Sequence, residues 1–220
     1  MKRIRLIISF VMTLALGWNG LSPSSAYANN NSTTNNVQSQ SSVEHMQTLV
    51  IDPKDGLDNT IDEWYDSTTG DTRIDRYSLS NNGLASYERT IHHEGHYYLI
   101  SLKAGKLEGT SLSVKQSKPY KSLFEDTIST YKQEWWKPIG TVQLDGKKVN
   151  KLRSDVNPKP QTKTYRIAYI DASTSLPIKV EEYGGDNQMS MTYVYYFNRV
   201  NDPNGQIFKD FAGVSIKKKK

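Results

Sequence analysis

The sequence predicts a mainly β (α+β) protein, an antiparallel meander of short strands interrupted by a single helix. Three observations carry that reading. Turn dipeptides ending in Gly separate aromatic and β-branched runs along most of the chain, the pattern left by tight hairpins. The runs between them alternate apolar and polar residues with period two. One segment, after Ser122, switches to helical spacing. Mean hydropathy of −0.66 over 220 residues excludes a multi-span membrane protein, and 14 Tyr and 4 Trp argue against wholesale disorder. There is no cysteine, which removes disulfides, thiol catalysis, Cys metal sites and a lipid-modified N-terminal Cys.

In chain order, residues 1–28 have the pattern of a cleavable signal peptide. Lys2, Arg3 and Arg5 precede an apolar stretch over residues 6–16, and Ala26-Tyr27-Ala28 supplies a small-residue exit. That stretch is too short to span a bilayer, so cleavage and an extracytoplasmic, secreted address are expected. Residues 29–42, rich in Asn and Ser, read as a flexible linker, and residues 43–216 as a single domain. Residues 43–50 fit either a short helix or the start of a strand. Strands follow at 60–66, 72–79, 84–91 and 96–103, then at 139–144, 147–153, 164–171, 176–183 and 189–198. The helix is expected to start at Ser122, with Glu125 completing a capping box. Phe124, Ile128, Tyr131 and Trp135 would form its aromatic face over about 14 residues, stopped by Pro138.

The formal charge of +5 is carried by the ends. Residues 1–28 hold three cations and no acid and Lys217–Lys220 holds four more, so the body between them is slightly acidic. Nucleic-acid binding, which needs clustered cations on the fold itself, is not expected. The Lys217–Lys220 tail is expected to be exposed and to give weak, salt-screened attraction to an anionic membrane or wall polymer, or else simply to solubilise.

Motifs for chemistry are sparse. His92, His93 and His96 suggest a metal site, but strand alternation puts His92 and His93 on opposite faces and Gly95 marks a hairpin tip, so solvated turn histidines are expected. The acids Asp52, Asp55, Asp58, Asp62 and Glu63 miss calcium-loop spacing. No P-loop, G-x-S-x-G, H-E-x-x-H or Gly-rich dinucleotide loop is present. Glu181 and Glu182 are adjacent, so they point to opposite faces, and Glu88 and Glu94 have nothing pairing them to a site. No catalytic residue, metal or cofactor is assigned, and a non-enzymatic module is expected.

The informative feature is apolar alternation. Met189, Met191, Tyr193, Tyr195 and Phe197 share one face of one strand, Tyr98, Ile100 and Leu102 one face of another, and Leu176, Ile178 and Val180 a third. Ordinary core explains any single residue. Together they read as a Met- and Tyr-rich wall opposite the aromatic helix.

Residues 63–78, 95–102, 140–152 and 169–183 resemble the lipoprotein-carrier superfamily, which includes LolA-like carriers and RseB-type sensor domains. Within the last segment Asp171, Thr174, Leu176, Pro177 and Lys179 carry its Y-x-D-x-x-T-x-L-P-x-K pattern. The resemblance implies a strongly curved antiparallel sheet, an unclosed half-barrel whose concave face is covered by a helix and opens to apolar ligands. The carriers' latch residue is not placed in this sequence, so lipoprotein trafficking is not carried over. The expected function is binding of a lipid or apolar small molecule, lined by Tyr98, Ile100, Ile128, Tyr131, Trp135, Met191, Tyr193 and Tyr195. A second reading is an extracytoplasmic sensor that binds an envelope protein partner.

Overall fold

The computed structural model describes residues 42–80, 83–114, 122–155 and 164–218. The expected signal peptide, nearly all of the linker, and Lys219 and Lys220 lie outside the described residues. The described residues belong to one compact unit, Ser39–Lys220. In chain order its elements are β1 (Ser42–Asp52), β2 (Gly56–Asp66), β3 (Thr72–Ser80), β4 (Gly83–His93), β5 (His96–Lys103) and β6 (Lys106–Ser113). Helix α1 (Leu123–Tyr131) follows, then β7 (Lys137–Leu144), β8 (Lys147–Ser154), β9 (Tyr165–Asp171), β10 (Pro177–Tyr183) and β11 (Met189–Asn201). A 3-10 turn (Gln206–Lys209) and β12 (Ser215–Lys218) end the described chain. No helix among the described residues is long and apolar enough to cross a membrane.

All twelve strands make one open sheet in the order β12-β6-β5-β4-β3-β2-β1-β11-β10-β9-β8-β7. Neighbours are antiparallel except β12, which runs parallel to β6. Three of the hairpins are closed by two-residue turns, Glu94-Gly95, Ala104-Gly105 and Asp145-Gly146, in which both residues have positive φ. That is the turn whose twist matches the strands, and Gly accepts its second position without strain.

The order dictates what covers the sheet. Strands β1–β6 step outward from the centre, and β7–β11 return from the opposite edge to meet β1. The chain between β6 and β7 must therefore cross one face, and it carries α1. The chain between β11, near the centre, and β12, at the far edge, crosses the other. Register separates the two faces. Met46 and Tyr65 pack with Leu123 of α1 on the helix face. His45, Trp64, Arg73, Ile91 and Tyr98 are successive cross-strand partners and so share the opposite face. There Val43, Ile91, Ile100 and Phe208 form a buried cluster with Trp64, Tyr98, Ile207, Phe211 and Val214 around it. The segment 202–218 is thus a strap over this second face. Asp202 fastens its start by accepting the Gln206 and Ile207 amides at 2.8 Å each.

Several expectations change. Residues 43–50 are strand, inside β1. β6, the 3-10 turn and β12 were not expected, and β12 takes Lys217 and Lys218, both exposed, into the sheet edge. The helix has 9 residues rather than about 14. Ser122 does cap it, accepting the Glu125 amide, but Thr127, Ser129 and Thr130 turn their hydroxyls back onto backbone carbonyls and no basic residue supports the last turn. The chain leaves the helix at Lys132, and Pro138 lies inside β7 instead of acting as a stop.

Candidate functional site

Helix α1 is anchored at its first turn by a buried carboxylate from the sheet. Glu44, 2% exposed, accepts the Ser122 hydroxyl at 2.9 Å and the Phe124 amide at 3.2 Å, and pairs with Arg199 at 2.7 Å. A carboxylate at a helix N-terminus satisfies orphan amides and meets the positive end of the helix dipole. Phe124 packs edge-on against Phe197, with the Arg199 guanidinium over its ring. Beyond this turn the attachment thins, because Leu123 is the one fully buried residue of the helix. Glu44→Ala is expected to cost about 2 kcal/mol by removing charge-assisted hydrogen bonds. Faster hydrogen exchange of the α1 amides, with the strap amides unchanged, would report it.

From the anchor, the helix face runs across β11, β10 and β9 as an apolar wall. Tyr193 pairs with Val180 and Val180 with Ala168, so the three stand abreast, and Leu152 of β8 continues the row. Ala168, Ile170 and Val180 form a buried cluster, covered by Tyr131 and Trp136 and flanked by Tyr193 and Tyr195. Burial pushes the Tyr131 and Tyr195 phenols up. Burial, reinforced by Glu182, does the same to Tyr193. Phenols raised in this way stay neutral, so these half-buried hydroxyls are not set up to exchange protons.

On the other side of α1 the same face is open. Tyr97, Leu99 and Leu112, on β5 and β6, are 36%, 39% and 40% exposed. Their register partners on β4 and β3 include His92 and Thr72 beside Tyr97, and Thr90 and Ile74 beside Leu99. An exposed apolar strip therefore continues the floor beyond the helix.

The structure brings some of the expected lining together and separates the rest. Met191, Tyr193, Tyr195 and Tyr131 share the helix face, and Ile128 sits half-buried on α1. Trp135 is 49% exposed, because the helix has already ended; Trp136 takes the packing position, 5.2 Å from the Tyr131 ring. Tyr98 and Ile100 face the strap, where Tyr98 packs on Phe211 and Ile100 is fully buried. Sequence reasoning missed Trp136, Ala168, Leu152 and Met46. The signal for Ala168 and Leu152 was the alternation of β9 and β8, read less readily because their apolar residues are small or flanked by lysines and arginines.

The histidines are also divided. His92 and His93 lie on opposite faces, but His93 is buried rather than solvated, with its ring 2.8 Å from the Asp71 carboxylate. The reason is that Asp71 immediately precedes β3, beside the end of β4, and supplies a partner that lets the imidazole leave water. Asp52 closes its own turn by accepting the Lys54 amide, as a turn acid should. Glu181 accepts the Tyr169 and Tyr183 hydroxyls and pairs with Lys179, while Glu182, on the other face, pairs with Arg166. The adjacent acids never meet.

No family model matches the chain, and no curated protein matches it in sequence. Solved structures similar to it cover most of this chain. An uncharacterized conserved protein from Thermus thermophilus is 12% identical over 80% of this chain and 91% of its own, with a TM-score of 0.48. MucB in the MucA/MucB complex of Pseudomonas aeruginosa is 12% identical over 76% of this chain and 56% of its own, with a TM-score of 0.41. A LolA superfamily protein from Nitrosomonas europaea is 10% identical over 77% of this chain and 90% of its own, with a TM-score of 0.27.

Proposed function

We propose that the protein is an extracytoplasmic, non-enzymatic module that binds a lipid or other apolar ligand on the helix face of its sheet. The observation that carries this reading is an apolar wall under a helix anchored at one end, with a second, exposed apolar strip on the same face. The wall of Tyr193, Tyr195, Val180 and Ala168 runs under Tyr131 and Trp136, and the strip of Tyr97, Leu99 and Leu112 lies bare on the same face. In this reading the sheet curves as a half-barrel with α1 over its concave side, and the C-terminal end of the helix lifts while the Glu44 anchor holds. Burying an acyl chain contributes about 25 cal/mol per Å² of apolar area, so no charged contact is needed to hold the tail.

Native mass spectrometry of the protein purified without denaturant tests the reading, together with titration of a fluorescent fatty acid. The expected result is a co-purified amphiphile, and probe binding weakened at least tenfold by Tyr193→Glu. Absence of both bound lipid and probe binding refutes it. A stoichiometric envelope protein recovered by pull-down, with a ligand-free interior, would replace it by the protein-partner reading.

A further inference from the structure

One row of the helix face is not apolar. Ser154, Arg166, Glu182 and Met191 are successive cross-strand partners on β8, β9, β10 and β11, one step along from the row of Leu152, Ala168, Val180 and Tyr193. Ser154 is 0% exposed, and its Oγ has no hydrogen-bond partner among the described residues. A buried hydroxyl without a partner is costly and uncommon, so each instance calls for an explanation. Its neighbour Arg166 is half exposed. It places Nε and Nη2 on one oxygen of Glu182, each at 2.8 Å, and Nη1 is not engaged by any described residue. Arg166 is one step along β9 from Ala168 on the same face, so it stands at the border of the tyrosine wall.

Two donors therefore stand on adjacent strands of one row beside an apolar surface, one orphaned and one with spare capacity. The group that satisfies both is an acceptor carrying negative charge and at least two oxygens. Glu182 fixes the orientation of Arg166 and leaves its outer nitrogen for a second anion.

Building on the proposal that the helix face takes an apolar ligand, we infer that the Ser154–Arg166 row is a headgroup subsite, and that the ligand is a single-chain amphiphile with an anionic oxygen head, a carboxylate or a phosphate monoester. One head oxygen accepts from Ser154 Oγ and another from Arg166 Nη1, while the chain lies along Tyr193 and Tyr195. Because Ser154 lies below the surface, the head reaches it with the side chains above it displaced, and Arg166 marks the mouth.

The probes are cis-parinaric acid and its methyl ester, which share one chain and differ in the charge of the head. The wild-type protein is expected to bind the acid about tenfold or more tightly than the ester, the scale of one charge-assisted hydrogen bond. Ser154→Ala and Arg166→Gln should each bring the acid down to the level of the ester and leave the ester unchanged. Ligand-free Ser154→Ala should melt no lower than wild type, since it removes an unsatisfied hydroxyl, so lost binding cannot be ascribed to unfolding. Competition by oleate and by monooleoyl phosphate then separates the carboxylate from the phosphate source; displacement by neither overturns the subsite. Equal binding of acid and ester, or variants that leave the acid unaffected, overturns the subsite and leaves the apolar-ligand reading standing. Failure of both probes to bind removes that reading, and the subsite with it.

Discussion

Replacing Asp75 by alanine is expected to cost about 3–5 kcal/mol, enough to leave much of the protein unfolded at ambient temperature. The carboxylate is 0% exposed at the centre of the strap face, and two arginines are built around it. Arg73 donates to it through Nε and Nη2 at 3.0 and 2.6 Å, and Arg89 through the same pair of nitrogens, each at 3.0 Å to its nearer oxygen. The Tyr77 and Tyr87 hydroxyls approach at 3.4 and 3.3 Å. Removing the acid leaves two guanidiniums buried with like charge and only the strap groups, the Ile207 and Asp210 carbonyls and the Asp210 carboxylate, to answer them. Burial alone would raise the Asp75 pKa, but the hydrogen bonds and charges of Arg73 and Arg89 outweigh it and hold it below the ordinary aspartate value. The sign for stability follows. With its folded pKa below the unfolded one, Asp75 contributes fully above about pH 4 and loses that contribution as pH falls through the folded value. Urea midpoints measured from about pH 6 down to about pH 2 should fall steeply for wild type below about pH 4 and less steeply for Asp75→Asn. An unchanged midpoint for Asp75→Ala at neutral pH would refute the role assigned to the cluster.

This cluster also shows where a single sequence stops being readable. Arg73, Asp75 and Arg89 sit on strands whose existence is plain from alternation and turn dipeptides. Nothing local distinguishes them from a solvated charged face, because the residues that bury them arrive far later in the chain, in the strap. The same holds for Tyr98 and Ile100. Their shared face is evident from period two, but which face of the sheet it joins depends on pairing with Ile91 and on Phe208 crossing above. Some local chemistry, by contrast, is visible in the sequence. Ser122 caps its helix as the spacing requires, and the Asp171 to Pro177 pattern resolves into a turn. There Asp171 accepts the Ser173 amide and hydroxyl and the Thr174 amide, while Thr174 accepts the Leu176 amide. That pattern carries the family resemblance, and its work is structural. Ser154 was silent in the sequence, since an orphaned hydroxyl is a property of burial alone.

The strap supplies the second large effect, because one ring stands at the middle of its contact with the sheet. Phe208 is 1% exposed and packs among Val43, Ile91 and Ile100. Beyond it the chain stays close to the sheet, with Phe211 on Tyr98 and so little space over β6 that a Cβ at Gly109 would stand 3.1 Å from Val214. Phe208→Ala removes most of the buried area of the ring and leaves a cavity in the middle of the contact, a change that costs about 3–5 kcal/mol in a core that cannot collapse. The strap has another outlet. It is joined to the sheet by this ring, the packing of Phe211 and Val214, the two arginine contacts and the four-residue edge strand β12, so it can detach without unfolding the meander. Detachment would bare Val43, Ile91 and Ile100 and leave the segment after Asp202 open to protease. Phe208→Ala is therefore expected to show early cleavage between residues 203 and 214 and increased binding of a hydrophobic dye, with a lowered melting midpoint. The helix face, on the other side of the sheet, should bind the fatty-acid probe as before. A variant that resists cleavage and melts with wild type would show that the arginines and β12 hold the strap without the ring.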